Sequence, residues 1–109
     1  MFDLFFSRRD DQLFNRARKY VMLSTSALRD RVYTGSEYEL AYNCRVGERA
    51  ASLMAKSCGD RERRHYCKEI RKAFLLVQAC IESGEHFQRE LLQVLDAIDT
   101  LAEFVPPVQ

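Results

Sequence analysis

The chain has 109 residues, of which 47% are apolar and 30% charged, with a formal net charge of +1; this composition excludes a disordered chain and fits one domain with a modest core. No apolar run approaches the roughly 18–20 residues of a membrane helix, and the opening Met1-Phe2-Asp3-Leu4-Phe5-Phe6 carries neither a basic region nor a small-residue cleavage site, so a soluble cytoplasmic protein with no membrane partner is expected. So short a chain favours a binding or assembly module over a multi-step enzyme.

In chain order, residues 1–7 read as an apolar arm carrying Phe2, Leu4, Phe5 and Phe6. Ser7 or Asp10 can cap a first helix whose face collects Leu13, Ala17, Tyr20, Val21, Ser24, Ala27 and Leu28, and Gly35 stops it. Ser36 and Glu39 have capping-box spacing and open a second helix, with Leu40, Cys44, Gly47, Ala51, Met54 and Cys58 on one stripe widened by Ala50 and Leu53. Its small residues, Gly47, Ala50, Ala51, Ser52 and Ala55, predict close approach by a neighbouring helix. After Gly59, Asp60 can cap a third helix that gathers Ile70, Ala73, Phe74, Val77, Cys80 and Ile81. Gly84 separates it from a fourth, with Phe87, Leu91, Val94, Ile98, Leu101 and Val105 on its inner face, and Pro106-Pro107 starts a tail over 106–109. Short links between such helices favour antiparallel neighbours, so the expected fold is a single all-α domain over 1–109, an up-down-up-down four-helix bundle.

Near-neutrality conceals a separation of charge. Residues 1–81 hold 16 Lys/Arg against 10 Asp/Glu, whereas residues 82–109 hold one Arg against six acids. Of the basic residues, 13 are Arg and 4 are Lys. The cysteines, Cys44, Cys58, Cys67 and Cys80, show no zinc-type spacing with each other or with His65 and His86, and in a chain without a secretory signal they read as buried reduced thiols.

The densest motif runs from Arg61 to Lys72. At about 100° per residue, Arg61, Arg64, His65, Lys68, Arg71 and Lys72 form one stripe opposite the apolar face of the third helix. A phosphate backbone favours such a surface, because each neutralised phosphate releases counterions and Arg adds planar paired donors. The alternative is the solvated back of an amphipathic helix, and the near-neutral charge and the lack of an expected exposed aromatic platform weigh on that side.

No catalytic constellation appears. Arg61 and His65 are too closely spaced for the Arg-to-His arrangement of small helical ribonucleases, and there is no Ser/His/Asp set, glycine-rich phosphate loop or HExxH. Asp96, Asp99 and Glu103 share a face that could attract a divalent ion but reads as an exposed acidic surface, so no metal or cofactor is expected. Apolar side chains remain in surplus: Leu75, Leu76 and Ala79 lie on the outer side of the third helix, and Leu92 and Phe104 leave the core face of the fourth. With Phe2, Leu4, Phe5 and Phe6 they form a candidate protein interface, which favours a homo-oligomer or a protein partner.

Leu40-Ala41-Tyr42-Asn43-Cys44-Arg45 leading into Arg49-Ala50-Ala51-Ser52-Leu53-Met54-Ala55, followed by Tyr66, Ala73, Gly84 and Glu90-Leu91-Leu92, is a generic helical pattern across about residues 13–105. In these positions the chain resembles the small four-helix-bundle proteins encoded in ribosomal RNA intervening sequences and the accessory variability determinants of diversity-generating retroelements. Leu53-Met54-Ala55-Lys56 stands where that family has a proline and an Asn-Ile-Ala-Glu-Gly-like stretch. The resemblance implies a ring of bundles with a basic surface that binds a reverse transcriptase and its template RNA. Its candidates here are Arg45 and Arg49 on the second helix and Arg61, Arg64, Lys68, Arg71 and Lys72 on the third.

The functional expectation is a non-enzymatic, self-associating bundle that presents an Arg-rich surface to RNA or to an RNA-binding protein. Charge reversal at Arg64, Lys68 and Lys72 is expected to abolish binding without unfolding the chain. The competing expectation is an adaptor or chaperone-like bundle working through the N-terminal arm and the outer face of the third helix.

Overall fold

Capping chemistry sets the helix boundaries. The computed structural model describes residues 2–84 and 88–108, with side chains except those of residues 2–8 and 90. Its helices are α1 (Phe2–Arg31), α2 (Glu37–Lys56), α3 (Arg61–Ser83) and α4 (Gln88–Glu103). Ser36 caps α2 by accepting the Glu39 N–H at 3.2 Å, and Asp60 caps α3 by accepting the Glu62 N–H at 3.0 Å. Gly84 closes α3 in the left-handed conformation at φ 70°, where a Cβ would be strained. Gly35 and Gly59 do not share that geometry, and α2 is instead closed by Ser57, whose N–H donates to the Leu53 carbonyl.

The first helix begins earlier than its capping residues suggest. With no Gly or Pro before Gly35, nothing interrupts the backbone at Ser7 or Asp10, and residues 2–7 form the first turns of α1 instead of a separate arm. The side chains of Phe2, Leu4, Phe5 and Phe6 lie outside the described residues. Thirty residues make α1 about 45 Å long against about 30 Å for α2. The molecule measures 52 × 21 × 19 Å with a radius of gyration of 14.5 Å, above the roughly 13 Å of a compact chain of this length. Arg9 and Asp10 are exposed, and Phe14 is the first buried side chain described.

Close backbone approaches follow the order α1–α2, α2–α3, α3–α4 and α4–α1 and skip both diagonals, as an antiparallel bundle with short links requires. Between the helices lies one core. Phe14, Val21 and Leu28 come from α1, Leu40, Cys44 and Met54 from α2, Ile70, Phe74, Val77 and Ile81 from α3, and Leu91, Leu95 and Ile98 from α4. Tyr20 and Leu53, expected on the inner faces, are 50% and 41% exposed. Tyr20 sits one residue from Val21, hence about 100° around the helix, and Phe14 and Thr25 occupy the inward side in its place.

The α2–α3 seam is the tightest part. Gly47, Ala50, Ala51 and Ala55 are all buried on α2. A Cβ at Gly47 would stand 2.8 Å from Cδ1 of Phe74 and nearer still to Cε1 and Cζ, so the ring occupies the space a side chain would need. On the opposite side, polar groups tie α4 and the tail that follows it to α1. Arg29 pairs with Asp96 at 3.0 Å and with Asp99 at 2.8 Å, Arg18 donates to the Val105 carbonyl at 3.0 Å, and the Asn15 side-chain amide both donates to the Val108 carbonyl and accepts its N–H.

Gly47→Ala tests the seam. Ala is favoured over Gly in a helix by about 1 kcal/mol, yet crowding a filled core costs about 1–3 kcal/mol. Urea unfolding followed by circular dichroism is expected to show a less stable variant, with part of the loss recovered when Phe74→Leu is added. Equal or greater stability of Gly47→Ala would refute the close packing.

Candidate nucleic-acid interface

Because α2 and α3 lie so close, the basic face of α3 overhangs the C-terminal half of α2. Ser52 and Ala55 of α2 and Lys56, Arg64, Lys68, Arg71 and Lys72 line an open groove of about 540 Å³ between the two helices. Each cation is held differently. Arg64 reaches back to the turn between α2 and α3, where its Nε and an Nη donate to the Cys58 carbonyl at 3.3 and 2.8 Å. Arg71 crosses to Glu48 of α2 at 2.8 Å, and Lys72 pairs with Glu69 one turn earlier at 3.2 Å. Lys56 and Lys68 make no ion pair with a described acid and are exposed. Lys56 also lies in the last turn of α2, where the carbonyl ends of the helix favour a cation.

The sequence-derived cations therefore divide into three groups. Arg64, Lys68, Arg71 and Lys72 converge on the groove. Arg45 and Arg49 line a separate depression on α2 of about 340 Å³ with Tyr38, Tyr42 and Val46. Arg61 and His65 are exposed and border neither, and the His65 ring stands edge-on to Tyr66 with centroids 5.5 Å apart. Lys56 completes the groove although the charge stripe of α3 cannot reveal it. The apparent lack of an exposed aromatic platform is also corrected, since Tyr38 and Tyr42 are 74% and 55% exposed.

The candidate apolar interface divides as well. Leu75 and Leu76 are exposed, one turn beyond Arg71 and Lys72, whereas Leu92 is half-buried against the core. Phe104 is exposed on one side and stacks on Tyr66 with the other, with ring centroids 5.1 Å apart. Asp96 and Asp99 are engaged by Arg29, and no cluster of three or more potential metal ligands occurs among the described residues. No described helix is long and apolar enough to cross a membrane.

Comparison with protein-family models, curated proteins and solved structures gives no match.

All four cysteines are free, with Cys44, Cys58 and Cys67 buried and Cys80 half-buried. Burial, aided by the charge of Glu82 for Cys44 and by Cys58 for Cys67, pushes the thiols of Cys44 and Cys67 up to about 12. Both stay protonated, and so poorly nucleophilic, at neutral pH. In the unfolded chain they titrate near 9.0, so unfolding releases their protons above that pH and stability is expected to fall from about pH 9 towards 12. Thiol labelling at pH 8 should modify Cys80 first and reach Cys44 and Cys67 only after denaturation. Rapid labelling of Cys44 or Cys67 in the folded protein would contradict this assignment.

Proposed function

We propose that the protein is a non-enzymatic helical bundle that binds RNA through the α2–α3 face. The observation that carries this reading is the convergence of Lys56, Arg64, Lys68, Arg71 and Lys72 on one open groove, where Lys56, Arg64 and Lys68 pair with no described acid. Exposed ion pairs such as Lys72–Glu69 are weak, so a phosphate can displace the acid at little cost. The planar donors of Arg64 and Arg71 suit phosphate oxygens, and the bound counterions released add an entropic gain. Asp96 and Asp99 of α4 do not oppose this, since they face Arg29 on another seam. An RNA-associated protein, such as a reverse transcriptase with its template, is the partner class that the sequence resemblance adds to this reading.

The test set is Lys56→Glu, Lys68→Glu and Lys72→Glu together. Arg64 is left intact because its two hydrogen bonds close the turn after α2, and its reversal would confound binding with folding. Binding of a labelled RNA, followed by anisotropy, is expected to weaken with salt at a log–log slope of about −0.7 per phosphate neutralised and to vanish in the triple variant with unchanged circular dichroism. No binding at low salt, or binding that survives the reversal, overturns the reading.

Self-association is the second element, favoured by the 41% and 56% exposure of Leu75 and Leu76. Light scattering should give a native mass that is a multiple of 12.8 kDa and that falls to this value in Leu75→Ser/Leu76→Ser. A monomer at micromolar concentration would refute it.

A further inference from the structure

Five side chains of α2 define a surface that the groove alone does not explain. At about 100° per residue, Tyr38, Tyr42, Arg45, Arg49 and Lys56 fall within about 60° of arc, a single outward stripe that rises about 27 Å along the helix. It is aromatic at the N-terminal end and cationic from Arg45 onward. Lys56 belongs both to this stripe and to the wall of the groove, so the two surfaces are continuous. Tyr38 and Tyr42 stand one turn apart between two shallow depressions, one shared with Ala27, Arg31, Glu39 and Asn43, the other with Arg45, Val46 and Arg49. None of the described side-chain hydrogen bonds uses either hydroxyl, while the nearby acids Glu39 and Glu48 are taken up by Arg31 and Arg71.

Resting on the RNA-binding reading, we infer that this stripe selects single-stranded over duplex RNA, with unpaired bases stacked on Tyr38 and Tyr42 while the adjoining backbone runs past Arg45 and Arg49 to Lys56 and the groove. In a duplex the base faces are covered by their neighbours and side chains meet phosphates, sugars and edges only. A pair of exposed rings one helical turn apart gains nothing from that surface. A single strand offers a free face to each ring, and the cations that follow along the same line neutralise its phosphates. Arg45 and Arg49 can also lie flat against a base, extending the platform along the stripe.

The experiment compares a single strand of about 12 nucleotides, within the usual site-size range, with the duplex of the same sequence. The proteins are the full chain and Tyr38→Ala, Tyr42→Ala, Tyr38→Phe/Tyr42→Phe and the Lys56/Lys68/Lys72 triple reversal. The expected result is tighter binding of the single strand, a loss of about tenfold for each Ala variant, the order of one lost base stack, and near-full retention in the Phe pair, which keeps both rings. Because the chain contains five Tyr and no Trp, tyrosine emission gives an independent readout. The single strand should quench it, and the quenching should diminish in the Ala variants. Equal affinity for the two RNAs, or Ala variants that bind like the parent, overturns the stacking inference while the groove reading stands. If the triple reversal leaves binding intact, or neither RNA binds at low salt, the groove reading itself fails and the inference with it.

Discussion

The missing side chain at Gly47 is the constraint on which the rest depends. The Phe74 ring occupies the space a Cβ would need, and the buried alanines that follow, Ala50, Ala51 and Ala55, keep the C-terminal half of α2 slim. Had this contact been spaced by larger side chains, Lys56 and Ser52 would lie farther from Lys68 and Lys72, and the cations would stand on two separate helices. Core packing thus sets the charge density of the surface. The same proximity lets Arg71 reach Glu48 and Arg64 reach the Cys58 carbonyl, so two of the five groove cations are oriented by the seam that brings them together.

Charge is distributed to match. The fourth helix carries an acidic surface, but Arg29 of α1 engages Asp96 and Asp99 on the side of the bundle away from the α2–α3 seam. Asp96 and Asp99 are therefore kept away from the groove, where five cations meet only Glu48 and Glu69 in ion pairs among the described residues, which is how a chain with net charge +1 can present a basic groove. Such a field is directional: it orients an approaching polyanion as well as attracting it.

Much of the fold was legible because its punctuation is local. Ser36, Asp60 and Gly84 act through bonds to residues three or fewer positions away, and these are the boundaries where expectation and structure agree. Facing stripes were readable for the same reason. What failed were features at the margins of a stripe. Tyr20 and Leu53 are apolar enough to pass as core, yet inward space is allotted by the partner helices; on α1 Phe14 and Thr25 fill it, and on α2 Ala50 and Met54 do. In the candidate site, the α3 cations follow from spacing within one helix. Lys56 depends on which helix packs beside α3, and that is a tertiary fact. Tyr38 and Tyr42 could have been noticed as an i, i+4 aromatic pair outside the apolar stripe of α2, since that angular position already points to solvent.

The tail strap has a consequence for the order in which the structure assembles. The contacts α1–α2, α2–α3 and α3–α4 join helices adjacent in sequence, whereas Asn15–Val108 and Arg18–Val105 close loops of 93 and 87 residues. Loop-closure entropy makes such contacts the slowest to nucleate, although once the intervening helices are packed most of that entropy has already been lost. The strap is therefore a latch on a nearly finished bundle and takes no part in the nucleus. A latch of this kind governs how often the last helix detaches, and so how often Leu91, Leu95 and Ile98 meet water, leaving the rate at which the first three helices find one another unchanged.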